Sequence, residues 1–485
     1  MTFKDRIPAY ALCLLLAVQC LSSFGAKEQP NFIFIMSDDQ GWGDLGSYGH
    51  PSLRTPQLDQ LAKEGMIFTQ FYTSASICTP TRAGFMTGQF PARVGVHSQI
   101  STAEKMQELD SAVYLDPKYP MLPRALQGVG YHTMHIGKWH LSPWLHRDPI
   151  LPRPDAYGFT EYLTPYLNWP ETKYGKNWAQ PTHRARSSEL FVDQAIQYIE
   201  KREQDKTPFY LQVWLLDPHV PLIPESDQMR HYDDLRVKQP YIDNPDADPT
   251  RIYSNVLSEM DAQLGRLFES VRNSGLAENT FIIFTSDNGA ATPSSYDYYV
   301  GTGSNGPFRG EKGSLYEGGF RVPLIVWRPG HVPAGKVDRE SISSLVDFFP
   351  TMAALGQAAT PANLDGVDIQ KVWEGSPMVN RPPLFWEWRY NQPRTWQNRS
   401  PMLAVRDGDW KLLMNPDDSR VELFNLRLDP MENGNMAEQQ PQIVSRLRKE
   451  LLEFHQSLPG EVFDKQAGNV SHPLIGKPGS NSKMN

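Results

Sequence analysis

The sequence predicts an α/β fold with a large central sheet and a smaller carboxy-terminal unit, on three observations. Three almost wholly apolar runs, Asn31–Met36, Pro208–Leu216 and Asn279–Thr285, read as strands buried on both faces. Each run passes directly into a polar cluster containing aspartate: Ser37-Asp38-Asp39, Asp217-Pro218-His219 and Ser286-Asp287-Asn288. Open α/β sheets build their sites beyond the carboxyl ends of such strands. The third observation is a change of pattern after about Asn380, where short strands and one terminal helix replace the buried runs.

At 485 residues the chain is long enough for one large domain and a smaller one, and its 41 prolines point to many ordered loops. Lys4 and Arg6, an apolar core from Ala11 to Val18, and Leu21-Ser22-Ser23-Phe24-Gly25-Ala26 predict a signal peptide over 1–26 and a secreted or periplasmic protein. The run is too short to span a bilayer and no later segment is apolar enough, so no stable membrane insertion is expected. Gln19 fits a lipoprotein signal poorly, which disfavours anchoring at Cys20. The expected division is a catalytic domain over 27–380, a subdomain over 381–460 and a polar, mobile tail over 461–485.

Taken in order, Thr55–Ala62 reads as a helix with Pro56 in its first position and Gly65 at its end. Pro120–Gly130 is a second helix, and Tyr131–Ile136 a strand that delivers Gly137-Lys138-Trp139-His140-Leu141. In extended backbone, residues two apart point the same way, so Lys138 and His140 are expected side by side. Residues 143–186, with Trp144, Trp169 and Trp178, read as a substrate-facing loop region. Ser187–Arg202 and Arg251–Ser274 are helices, the second stopped by Gly275. The glycine-rich stretch Gly301–Phe320 lacks the strand-loop-helix spacing of a nucleotide-binding fingerprint. Val322–Trp327 follows as a strand and Leu345–Leu355 as a helix. Ala404–Met414 and Val421–Leu426 read as two antiparallel strands, and Gln442–Gln456 as the last helix. Asn398 and Asn469 lie in glycosylation sequons.

A net charge of −8 argues against a nucleic-acid partner, although it leaves an anionic small substrate open. Of the three cysteines, Cys13 and Cys20 fall in the leader, so Cys78 is the lone thiol of the mature chain and has no internal disulfide partner. A lone cysteine is ordinarily a small buried hydrophobe. Here Thr79-Pro80-Thr81-Arg82 follows it and a helix-compatible run begins, which places it where a helix dipole favours negative charge, four residues from a guanidinium. Asp38-Asp39 and Asp287-Asn288 offer the oxygen ligands a hard divalent cation prefers. Taken singly, each of these features has a plainer reading: a polar turn, a surface Lys-X-His, a structural histidine.

Cys78-Thr79-Pro80-Thr81-Arg82 resembles the modification sequence of type I sulfatases, in which this cysteine is oxidised to formylglycine. Other motifs similar to that family's recur in its order from about Pro30 to Asp429. They are Asp38-Asp39, Gly137 to Leu141, His219-Val220-Pro221, Asp287-Asn288, Lys312-Gly313 with Tyr316-Glu317-Gly318-Gly319, and Asp407 to Leu412. Ser142 departs from the glycine usual there.

The resemblance implies an alkaline-phosphatase-like sandwich with a large mixed sheet and a carboxy-terminal antiparallel sheet and helix. It implies one Ca2+ held by Asp38, Asp39, Asp287, Asn288 and the modified Cys78. Arg82, Lys138 and Lys312 would supply positive charge, Arg82 also holding the modified residue. Asp287 would be the base for one hydroxyl of the aldehyde hydrate, His140 the base for the other, and His219, with Lys312, the acid for the leaving alcohol. The flanks Thr285–Ala290 and Ser304–Phe320 most resemble N-acetylgalactosamine-6-sulfatases and arylsulfatase A, which implies a sulfated carbohydrate of galactose type and a formylglycine-generating maturation enzyme as partners. Two rival classes are a phosphohydrolase of the same superfamily and an inactive glycan-binding homologue. The first would carry Ser or Thr at position 78, and the second would have lost one of Cys78, Arg82, Lys138, His140 or Asp287; all five are present.

Overall fold

The computed structural model describes residues 29–143, 151–165, 167–178, 180–232, 249–291, 302–389 and 398–459. The leader, Trp144, Asn469 and the tail beyond 460 lie outside the described residues. Eight strands form the main sheet: β1 Asn31–Ser37, β2 Met66–Phe68, β3 His132–Gly137, β4 Glu161–Leu163, β5 Phe209–Trp214, β6 Thr280–Ser286, β7 Leu324–Trp327 and β8 Lys336–Asp338. Their order is β4-β3-β5-β1-β6-β7-β2-β8. Only β7 runs against the others, so the sheet is mixed and its central strands are parallel.

Strand β1 is buried at every residue because both faces of the sheet are covered. Ile33 and Ile35 point into one core, with the helices α1 (Pro56–Glu64), α3 (Ser187–Asp205) and α4 (Pro249–Asn273). Phe32, Phe34 and Met36 point into the other, with α2 (Cys78–Thr87) and α5 (Phe348–Leu355). Phe34 stacks on Phe85 of α2 at 4.1 Å between ring centres, which seats the helix carrying Cys78 on the central strand. Gly65 ends α1 as expected. The start of α1 is capped from a distance: the Asp261 carboxylate of α4 accepts the Gln57 and Leu58 N–H groups, at 3.0 and 2.8 Å.

Beyond the main sheet, β9 (Leu384–Glu387), β10 (Leu403–Asp407), β11 (Trp410–Met414) and β12 (Glu422–Asn425) make an antiparallel sheet, against which α6 (Pro441–Gln456) packs. The stretch 404–414, expected as one strand, is a hairpin. Asp407 pairs with Trp410 across Gly408-Asp409, and Gly408 has φ +56°. Buried charges join this sheet to the main body: Lys411 Nζ on β11 lies 3.0 Å from Glu317 and 2.8 Å from Glu432.

Within the region 143–186, expected to face substrate, Trp178 is buried instead, and its ring packs with that of the half-buried Trp169 and with Phe191 of α3.

His135 on β3 is buried among Trp139, Trp214 and Phe159, with Gln212 donating to its Nδ1 at 2.9 Å. Burial, then the Arg82 charge, pulls its pKa down to about 3. The folded state therefore refuses a proton that the unfolded chain takes up near pH 6.5, and stability falls as pH drops below that value. Between pH 7 and pH 5 this one group should remove about 2 kcal/mol. Urea titrations at the two pH values should show that loss in the wild type and a clearly smaller one in His135→Phe.

Candidate active site

Parallel strands bring their carboxyl ends to one edge, and four of them deliver side chains there. Asp38 and Asp39 follow β1, Lys138 and His140 follow β3, Asp217 and His219 follow β5, and Asp287 and Asn288 follow β6. Cys78 is the first residue of α2, a helix buried along its whole length, and is itself 1% exposed. Lys312 arrives from the glycine-rich loop, which is wedged in place by Lys312 N–H to Ala290 O (3.1 Å) and Gly313 N–H to Ser76 O (2.8 Å). Gly289 allows that loop to approach: a Cβ there would sit 1.8 Å from the Gly318 carbonyl oxygen.

Carboxylates and cations alternate across the site. Lys138 Nζ is 2.5 Å from Asp38, Lys312 Nζ is 2.6 Å from Asp39, and Arg82 reaches Asp287 at 2.9 Å and Asp38 at 3.4 Å. Arg82 also donates to the Lys138 carbonyl and lies over the Trp214 ring. Its bonds thus run to the carboxylates and the β3 backbone, not to the Cys78 sulfur. His219 Nε2 stands 3.6 Å from Asp39, and Asp38, Asp39 and His219 form the metal-competent group found among the described residues.

The geometry corrects one expectation about how Lys138 and His140 converge. Gly137 has φ +105° and His140 φ +55°, so the backbone leaves β3 in a turn rather than an extended run. His140 nevertheless faces Cys78, with Nδ1 3.4 Å from Sγ. Its other nitrogen lies 3.3 Å from the Ile100 carbonyl, which requires Nε2–H and leaves Nδ1 as an acceptor. Thr79 braces the arrangement, donating to the His140 carbonyl and accepting the Ile100 N–H. Nothing in the local sequence marks Ile100 as a partner, because the carbonyl that does the work is backbone.

Burial and neighbouring charges set the protonation states. Burial alone would raise Asp38, but Lys138, His219 and Arg82 overcome it and hold the carboxyl below its ordinary range. Asp39 is held low against burial by Lys312 and His219. Asp287 behaves oppositely: burial, then the Asp38 charge, pushes it up to about 7. Burial, followed by Lys138 and Arg82, keeps His140 well below its usual value and hence neutral. Burial takes His219 down to about 4. It also raises the Cys78 thiol, so the helix start does not make an activated thiolate there.

The donor set suits a hard cation. Asp38 Oδ1 and Asn288 Oδ1 are buried with no hydrogen-bond partner, and Asn288 Nδ2 donates to Asp39 Oδ1 at 2.8 Å, so its oxygen is turned away from that contact. Orphaned buried oxygens are costly unless something else binds them, and oxygen donors of this kind are those a hard divalent cation takes.

A mixed sheet covered by helices on both faces, with a separate antiparallel sheet, is an alkaline-phosphatase-like fold. Comparison with known proteins narrows the class. The family model named Sulfatase matches residues 30–358, and the model named N-sulphoglucosamine sulphohydrolase, C-terminal, matches residues 306–457. The chain is 31% identical over 404 residues to the N-acetylgalactosamine-6-sulfatase of Canis lupus familiaris, covering 78% of this chain and 72% of that one. It is 31% identical over 424 residues to Homo sapiens arylsulfatase A, covering 82% and 77%. Among solved structures, the PsFucS1 sulfatase from Pseudoalteromonas sp. has a TM-score of 0.70 at 24% identity, over 94% of this chain and 96% of that one. Ps i-CgsB in complex with k-i-k-neocarrahexaose has a TM-score of 0.72 at 24% identity, over 89% and 94%. The chain belongs to the sulfatase family and is a sulfuric ester hydrolase.

Proposed function

We propose that this protein is an exported, calcium- and formylglycine-dependent sulfatase that removes sulfate from a galactose-type residue of a sulfated carbohydrate. The observation that carries the reading is the placement of residue 78. It lies at the start of a buried helix, beside a neutral His140 whose free nitrogen faces it, within a site lined by Asp38, Asp39, Asp287, Lys138, Lys312 and Arg82. The leader over 1–26, the maturation enzyme, and the division into 27–380, 381–460 and 461–485 belong to the same proposal.

Asp38, Asp39, Asp287, Asn288 and residue 78 would hold calcium, which supplies positive charge for the sulfate oxygens. Formylglycine at residue 78 would supply, as its hydrate, one hydroxyl for sulfur and a second whose proton is lost as sulfate departs. The chain's own residues supply the rest. Asp287, which anchors Arg82 at 2.9 Å, is the base for the first hydroxyl. Neutral His140, with its proton fixed on Nε2, accepts a proton at Nδ1 from the second. Lys138 and Lys312 hold the carboxylates ionised and present ammonium groups to an anionic ester. His219 and Lys312 both stand at Asp39, His219 Nε2 at 3.6 Å and Lys312 Nζ at 2.6 Å. His219 is neutral in the free site; the negative charge of a bound ester raises its proton affinity, and the adjacent ammonium of Lys312 is the proton source beside it.

The relatives named N-acetylgalactosamine-6-sulfatase support the choice of sugar. A panel of defined sulfated sugars, with galactose, N-acetylgalactosamine, glucosamine and fucose sulfates and the matching phosphate esters, tests it. Sulfate release is expected from the galactose-type compounds. Preferential turnover of phosphate esters, or of glucosamine sulfates, would contradict the reading.

A further inference from the structure

His219 sits on a loop, yet a proton donor must be placed within a few tenths of an ångström. What fixes that loop lies more than thirty residues away in sequence. Arg184, in the short helix Pro181–Ala185, spreads its guanidinium across the turn that follows β5. One amino group is 2.5 Å from Asp217 Oδ1; the other donates to the Leu216 carbonyl at 3.1 Å and to the carbonyl of His219 itself. A single planar group thus bonds the backbone on both sides of the turn.

Asp217 extends the clamp in two further directions. Its second carboxylate oxygen accepts the hydroxyl of Ser188, at 2.5 Å, and of Ser187, at 3.4 Å, from the first turn of α3. Its carbonyl accepts the Asp38 N–H at 3.0 Å. The turn carrying His219 is therefore tied both to α3 and to the residue that opens the carboxylate pair after β1. His219 uses Nδ1 to bond the Val220 carbonyl at 2.6 Å, which fixes the ring plane and points Nε2 at Asp39. Downstream, Arg186 pairs with Glu225 and Asp227, holding the far end of the same loop.

We infer that Arg184, acting through Asp217 and the His219 carbonyl, is a positioning residue for the proton donor, and so sets which leaving groups the enzyme can expel. This rests on the reading of His219 as the group that serves the departing alcohol. Lysine in place of Arg184 keeps the charge opposite Asp217 but cannot span two carbonyls and a carboxylate with one planar fork. The ring of His219 would then lose its register with Asp39, and misplacement on the scale of 1 Å costs catalysis heavily.

The experiment compares wild type, Arg184→Lys, His219→Ala and the double variant on a nitrophenyl sulfate and on the best sugar sulfate, with thermal melting of each. Arg184→Lys is expected to lower kcat on the sugar sulfate by about 10- to 100-fold while leaving nitrophenyl sulfate within about threefold. KM should change little, and Arg184→Lys should cost almost nothing further in the His219→Ala background. Equal losses on both substrates, or losses that multiply in the double variant, would reduce Arg184 to a structural role. A second measurement stands apart from the acid assignment: the 15N-histidine resonances, with His219 assigned by its absence in His219→Ala. Arg184→Lys should shift or broaden the His219 signal, and an unmoved signal overturns the inference whatever His219 does in catalysis. If His219→Ala itself fails to distinguish the two substrates, the role given to His219 falls, while that resonance still decides whether Arg184 positions it.

Discussion

Asp287→Ala is expected to lower turnover by about 10³-fold or more and to weaken calcium binding. The side chain has two partners that both belong to the site. One oxygen accepts the Asp39 N–H at 3.1 Å and the other holds Arg82 at 2.9 Å. Removing it takes away the proposed base, one of the oxygens proposed for the cation, and the main anchor of the Arg82 guanidinium. The variant is also expected to lose stability, because the buried Arg82 guanidinium keeps only its 3.4 Å carboxylate contact with Asp38, so thermal melting accompanies the assays. Calorimetric titration of metal-free protein with calcium, alongside steady-state assays, reads both effects. Near-normal turnover in the variant, or undiminished turnover of wild type after exhaustive chelation, would rule out this arrangement.

The second large effect separates the two histidines. A nitrophenolate leaves readily without a proton, whereas a sugar alkoxide does not. His219→Ala should therefore depress sugar-sulfate hydrolysis by about 10²-fold or more while sparing nitrophenyl sulfate to within about tenfold. His140 faces residue 78 and serves the step common to every substrate, so His140→Ala should slow both alike. Parallel kcat measurements on the two substrates suffice. The same selectivity in both variants, or in neither, would mean the two roles are wrongly divided.

The sequence makes the central strands plain because burial on both faces leaves a signature, an unbroken apolar run, that few other environments produce. The aspartates that end β1 and β6 were legible for the same reason, since a strand end locates them in space. Strand direction carries no such mark. Leu324–Trp327 reads as any buried strand, and only its pairing shows that it runs against β6. The hairpin at Asp407–Trp410 did carry a signal, the Asp-Gly pair, which the apolar residues on either side outweighed. Trp178 reads as part of a substrate-facing loop yet lies in the core, because an aromatic side chain suits a sugar-binding loop and a core equally well. Lys138 and His140 were expected side by side on extended backbone, whereas His140 lies in a left-handed turn. Arg184 and the Ile100 carbonyl were invisible: their partners are backbone groups or residues distant in the chain, and no spacing rule links them.

All of these roles turn on the chemical state of residue 78. Its thiol is buried and its pKa is raised, so unmodified cysteine is a poor nucleophile at that position. The most direct test is mass spectrometry of the peptide spanning Cys78, taken from preparations whose specific activities differ. Activity should rise in proportion to the fraction of that peptide in which sulfur has been replaced by the aldehyde, and Cys78→Ala should be inactive. Full activity in protein whose Cys78 peptide carries only the free thiol would contradict the proposed nucleophile.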